Sequence, residues 1–114
     1  MKIITVLTFQ LAVLLSVSVT AGEEDIFESG TSLLAACNME RLSEHWYCAG
    51  YVASAWDTQT LSEQICPPKP EGVTKGQLKR VVMAYLEAHP EELHLAGISV
   101  VQSALIEAFP CTEP

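Results

Sequence analysis

Cations are scarce in this sequence: six lysines and arginines stand against fourteen aspartates and glutamates over 114 residues, a formal net charge of −8. That balance argues against nucleic acid and anionic membrane surfaces as partners, because both are bound through clustered positive charge. A glycine-rich phosphate loop is missing, and so is a Cys-x-x-Cys pair, which removes nucleotide chemistry and thiol–disulfide redox chemistry as natural readings. Histidine is limited to His45, His89 and His94, leaving little from which to build a nucleophile with its base. No stretch alternates apolar and polar residues between hairpin turns, so strands are not expected. Beyond Ala21 no apolar run escapes a charge or a proline for the roughly 20 residues that a spanning helix needs.

What is present begins with an export signal. Lys2 supplies a positive start, Ile3 to Val19 are mostly apolar, and Val19-Thr20-Ala21 is a small-x-small cleavage site, so residues 1–21 read as a signal peptide cut before Gly22. Thr5, Thr8 and Gln10 interrupt the run, which favours a signal over a membrane anchor. Cleavage removes Lys2 and no acid, leaving 93 residues with five cations against fourteen acids, a net charge of −9. A domain of that size has only a marginal core and gains from covalent staples. Residues 22–29 are acidic, with little to bury, and are expected to be loose; residues 30–114 form the domain.

The domain reads as all-α, an array of four helices. Ser29-Gly30-Thr31 provides an N-cap for a short first helix ending near Cys37. Ser43 is the expected cap of the second, which runs to about Leu61 with Cys48, Val52, Ala55 and Trp56 on its core face. Ala49, Gly50, Ala53 and Ser54 are small and mark this helix as the expected site of a tight helix crossing. Cys66-Pro67-Pro68-Lys69-Pro70-Glu71-Gly72 cannot be helical and predicts a stiff, extended, polyproline-like connector. Thr74 and Gln77 have capping-box spacing for a third helix with Leu78, Val81, Val82, Tyr85 and Leu86 on one face, ended by Pro90. A fourth spans about Leu95 to Ala108, with Ile98, Val101, Leu105 and Ala108 on one face and Val100 and Ala104 on another.

Cys37, Cys48, Cys66 and Cys111 lie in a short exported chain, where thiols are oxidised, so two disulfides are expected. Sequence leaves three pairings open. An up-and-down helix path brings Cys37 near the first turns of helix two, and Cys66 near the end of helix four, which favours Cys37 with Cys48 and Cys66 with Cys111.

Residues that could carry chemistry read more simply as structure. His45 and Cys48 are three apart on a helix but lack further ligands at zinc spacing. Glu87, Glu91, Glu92 and Glu107 read as solvated carboxylates, and Lys75, Lys79 and Arg80 as cations serving solubility. No catalytic residue, cofactor or metal centre is expected. Tyr47 and Tyr51, one turn apart and off the core stripe, are candidate contact residues, since tyrosine is enriched in binding surfaces; packing on the connector is the structural alternative.

The ordered motifs Leu33-Leu34-x-x-Cys37, Tyr47-Cys48-x-Gly50-Tyr51-Val52, Ile65-Cys66-x-Pro68, Gly72-Val73-Thr74-x-Gly76-Gln77-Leu78, Tyr85-Leu86-x-x-His89-Pro90 and Ala104-Leu105-x-x-Ala108-Phe109-Pro110-Cys111 span nearly the whole domain. The chain thereby resembles the Rap/Tai-type immunity proteins of bacterial type VI secretion systems. The resemblance implies a small helical periplasmic protein, often a homodimer, that is not an enzyme and blocks a peptidoglycan-cleaving amidase toxin by occluding its active site. Its motif positions specify the fold more than the interface. On physical grounds the interface candidates are Tyr47, Tyr51 and the connector residues Pro67, Pro68, Lys69, Pro70 and Glu71, because a stiff segment loses little entropy on entering a cleft. A periplasmic acid-stress chaperone is the competing reading, and two disulfides argue against the plasticity it needs. The apolar residues of helix four imply burial either within the array or against a second copy.

Overall fold

A computed structural model describes residues 26–111. Residues 1–21, expected to be a signal peptide, and residues 22–25 of the acidic segment lie outside them. Four α-helices account for most of the described chain: α1 Gly30–Asn38, α2 Leu42–Leu61, α3 Lys75–Ala88 and α4 Gly97–Ala108, with a single 3₁₀ turn at Pro90–Glu92 between the last two. No strand occurs among the described residues; one isolated bridge joins Ser29 to Ala96.

Two helices start as their sequences dictate. Ser29 and Ser32 close a reciprocal capping box on α1, and Thr74 and Gln77 do the same on α3, the Thr74 hydroxyl accepting from the Gln77 N–H at 3.1 Å while Gln77 accepts from the Thr74 N–H at 2.8 Å. Helix α2 departs from expectation. It begins at Leu42 with Arg41 as an uncapped N-cap residue, and Ser43 sits within the first turn, its hydroxyl donating to Glu44 instead. That contact and the Glu44 backbone hold the Glu44 carboxyl below its usual range. The first N–H groups of α2 are exposed at the molecular surface, where water can satisfy them, so a side-chain cap is dispensable.

Helix α4 begins two residues later than its apolar pattern predicts, for a tertiary reason. The backbone of Leu95 and Ala96 is engaged elsewhere: the Gly30 N–H donates to the Leu95 carbonyl at 3.0 Å, and the Gly97 N–H donates to the Glu28 carbonyl at 2.8 Å. These bonds lash the segment before α1 to the segment before α4, so Glu28 and Ser29, expected to be loose, are docked. Gly30 lies so close to Leu93 that a Cβ there would stand 3.0 Å from its backbone Cα and O atoms. Among the described glycines this is the tightest approach. Of the small residues on α2, Ala49 is buried and Ala53 half-buried, whereas a Cβ on Gly50 would meet nothing within 4 Å and Ser54 is exposed.

The core gathers Leu33 and Cys37 of α1, Cys48, Val52 and Ala55 of α2, Ile65 of the segment that follows α2, Leu78, Val82 and Leu86 of α3, and Val100, Val101, Ala104 and Leu105 of α4. At roughly 1.5–3 kcal/mol for each fully buried large aliphatic side chain, this cluster is the main favourable term. On α4 the buried sector draws on both apolar stripes, Val101 and Leu105 from one and Val100 and Ala104 from the other, while Ile98 and Ala108 face solvent. Because α4 packs against α1, α2 and α3 together, its inward face is wide and cuts across the two narrower stripes. Trp56 is half-buried and meets Phe109 edge-to-face, ring centroids 5.0 Å apart.

Gln59 continues the α2 core stripe and is wholly buried. Its amide donates to the Gln102 carbonyl at 3.2 Å, tying α2 to α4, while its carbonyl oxygen has no partner. Two disulfides complete the frame, Cys37–Cys48 with Cα atoms 5.1 Å apart and Cys66–Cys111 at 4.9 Å. The first joins α1 to α2. The second, with a Cys66 N–H bond of 3.0 Å to the Phe109 carbonyl, joins the start of the connector to the end of α4.

Candidate partner-binding surface

The connector is not extended throughout. It reverses at Lys69–Glu71, where the Lys69–Pro70 peptide is cis, Gly72 takes φ +67°, and the Gly72 N–H donates to the Pro68 carbonyl at 3.1 Å. Prolines forbid helix but do not dictate an extended path, and a glycine able to enter the left-handed region lets the chain turn back into α3. Pro68, Lys69, Pro70 and Glu71 are exposed on this turn and Pro67 is half-buried, anchored next to the Cys66–Cys111 bridge. The turn therefore projects from a covalently fixed base.

Tyr47 and Tyr51 neighbour each other on α2, ring centroids 6.1 Å apart, but they do not pack on the connector. The Tyr47 hydroxyl bonds the Glu28 carboxylate, which also takes the Ser32 hydroxyl. That bond, reinforced by partial burial, pushes the Tyr47 phenol up to about 12. Tyr51 is half-buried beside Gly97, and its phenol is raised chiefly by burial and secondarily by the Glu28 charge. The two rings clamp the entry segment; Tyr47 keeps an exposed edge and Tyr51 contributes more to the core rim.

A groove of about 480 Å³ lies between the first half of α2 and the start of α3, lined by His45, Trp46, Ala49, Thr74, Lys75, Gly76 and Lys79. Trp46 is 59% exposed, and Leu42, one turn before it, is 70% exposed. The Lys79 ammonium stands 3.1 Å from His45 Nδ1, and the His45 and Trp46 rings meet edge-on. Trp46 had a legible signal, because it falls off the Cys48–Val52–Ala55 stripe and so must face outward. Lys75 and Lys79 read as ordinary solubilising cations in sequence, and only the fold puts them beside that tryptophan. A second groove, of about 350 Å³, has the connector as one wall, through Pro68, Gly72 and Val73, and Gln77, Arg80, Val81 and Phe109 as the other. Tyr47 and Tyr51 line neither groove, and the connector walls the second.

This surface has the chemistry of recognition. An exposed tryptophan beside lysines offers an amphipathic anchor, and a stapled turn offers a preformed projection. All four cysteines are bonded, so none is available as a nucleophile or ligand, and Cys48 does not pair with His45 as a metal ligand. None of the helices is long and apolar enough, among the described residues, to cross a membrane.

The fold defines a small, doubly stapled helical domain. More particularly, the chain belongs to the Rap1a immunity protein family, which matches residues 29–111. The match begins at the Ser29 cap of α1 and ends at Cys111, the last half of the second disulfide, so it covers the four-helix unit. Comparison with curated proteins and with solved structures yields no match.

Proposed function

We propose that the protein acts in the periplasm as the antidote to a type VI secretion effector, a peptidoglycan amidase, which it binds stoichiometrically and blocks. The observation that carries this reading is the membership of residues 29–111 in the Rap1a immunity protein family, since an immunity protein acts by binding its cognate toxin. Export by the signal at residues 1–21 agrees with it, as do two disulfides that need an oxidising compartment. Inhibition is by occlusion, which needs no catalytic group on this chain. The contacts are the Pro67–Glu71 turn, whose fixed base lowers the entropy lost on entering a cleft, and the exposed edges of Tyr47 and Tyr51. Trp46 and the lysines beside it extend that surface. Two copies act as a homodimer.

The test is a pull-down with the tagged, oxidised protein from envelope extracts of the source bacterium, followed by amidase assay as protein is returned to the captured enzyme. Silencing that saturates at one protein per enzyme establishes the reading. Capture of a broad set of unfolded proteins, and only at low pH, replaces it with the chaperone reading. Alanine at Lys69 or Tyr47 should weaken toxin binding by at least about 30-fold if either is a hot spot, the ratio that 2 kcal/mol represents; unchanged affinity in both relocates the interface.

A further inference from the structure

Where α3 ends, His89, Glu91 and Glu92 bring one imidazole nitrogen and two carboxylate oxygens within 4.8 Å of one another. We infer that this corner is a binding site for a divalent transition-metal cation, with zinc as the best fit, held by His89 Nε2, Glu91 and Glu92. The site is remote in sequence from the connector and from Tyr47, and it does not depend on the immunity reading.

The strongest observation concerns which nitrogen is free. His89 Nδ1 lies 2.8 Å from the Tyr85 backbone carbonyl, and a carbonyl can only accept, so Nδ1 carries the proton and Nε2 keeps its lone pair. A donor bond from one ring nitrogen to a main-chain carbonyl is the usual device that fixes the tautomer and orientation of a metal-ligating histidine. The imidazole is further locked by stacking on the Tyr85 ring, centroids 3.8 Å apart and planes 19° from parallel. Tyr85 also orients the second ligand, its hydroxyl donating to Glu92 Oε2 at 2.8 Å. One residue outside the ligand set therefore positions two of the three ligands.

The backbone cooperates. Pro90 stops α3, and the 3₁₀ turn Pro90–Glu92 folds the two glutamates back towards the histidine that precedes it. Tetrahedral coordination with bonds of about 2.0–2.1 Å needs ligand atoms roughly 3.3 Å apart. Glu91 is exposed, so its side chain is free to turn towards the other two ligands. Three protein ligands leave a fourth position for water. Ligand type selects the ion: imidazole favours zinc and its neighbours over magnesium and calcium, which prefer all-oxygen sets. The two carboxylates supply a charge that suits a divalent cation.

The experiment is calorimetric titration of zinc chloride into the tag-free, oxidised, chelator-treated protein at neutral pH. One saturable equivalent is expected, with magnesium chloride giving none. His89→Ala and Glu92→Gln should each weaken zinc binding by at least about tenfold, and Tyr85→Phe by about tenfold through loss of orientation alone, whereas His94→Ala should change nothing. Circular dichroism checks that each variant keeps its helices. A reading on the unaltered protein guards against a variant that fails to fold: zinc should shift the His89 Nε2 resonance in imidazole nitrogen spectra and leave Nδ1 protonated. Absence of saturable heat overturns the site. So does zinc binding that survives His89→Ala in a folded protein, which marks adventitious surface carboxylates, or a metal-dependent change at His45 or His94 in place of His89.

Discussion

Two glycine-to-alanine substitutions should move stability in opposite directions, although both glycines lie in helices. At Gly30 a Cβ would stand 3.0 Å from Leu93 Cα and O and 3.3 Å from its carbonyl carbon. These are backbone atoms, and they cannot rotate away. The Leu93 carbonyl accepts from the Thr31 N–H at 2.9 Å and the Thr31 hydroxyl at 3.1 Å, so retreat of Leu93 also loosens hydrogen bonds. Overpacking of this kind costs about 1–3 kcal/mol, which at 4–8 °C per kcal/mol lowers Tm by roughly 4–24 °C in a domain of this size. At Gly50, in the middle of α2, an added Cβ meets nothing within 4 Å. There alanine replaces the most flexible residue in a helix interior and should stabilise by about 0.5–1 kcal/mol, raising Tm by roughly 2–8 °C. Thermal unfolding of the two oxidised variants, followed by circular dichroism at one concentration, measures both. A neutral Gly30→Ala, or a destabilised Gly50→Ala, would show that the docking of α1 against the Leu93–Gly97 segment is misjudged and that the tight crossing lies on α2.

Further expectations follow from the staples and the entry clamp. Replacing Cys66 and Cys111 together by serine opens a cross-link of sequence separation 45 and should cost about 4 kcal/mol, against about 3 kcal/mol for the Cys37–Cys48 pair at separation 11, as denaturant midpoints would reveal; the reverse order would show that chain entropy does not govern these bridges. The Tyr47 phenol, raised from its usual 10 to about 12, contributes stability that is complete below pH 10 and is lost as pH rises through 12. Absorbance of the phenolate should therefore show Tyr47 ionising late, a component missing from Tyr47→Phe; loss of an early component instead refutes the Glu28 contact.

Much of the fold was legible because its signals are local. The Thr74–Gln77 box, the Ser29 cap, the apolar spacing of Leu78, Val82 and Leu86, and the helix-ending Pro90 all act within one or two turns, where propensity and hydrogen bonding need no knowledge of the rest of the chain. Two misreadings have a tertiary or backbone cause: Leu95 looked like the start of α4 and the prolines like an extended rod, and each was displaced by a partner distant in sequence or by a single permissive glycine. Ser43 looked like a cap, but its hydroxyl turns to its neighbour Glu44. The candidate surface divides in the same way. Tyr47, Tyr51 and the connector could be nominated from residue type and Trp46 from its phase on α2, but not the lysines beside the tryptophan.

Composition, periodicity, caps and cysteine spacing thus determined an acidic, four-helix, doubly cross-linked domain, because those features are written in neighbouring residues and in the count of thiols, and the ordered motifs carried the resemblance to its family. Tertiary structure alone decided that Glu28 docks on Gly97 and is held by Tyr47, that Gly30 and not Gly50 is the close approach, that Lys79 meets His45 beside an exposed tryptophan, and that Tyr85 aims both His89 and Glu92. Such contacts depend on where whole helices come to rest, a matter of packing the shared core, and no local preference of the chain encodes that position.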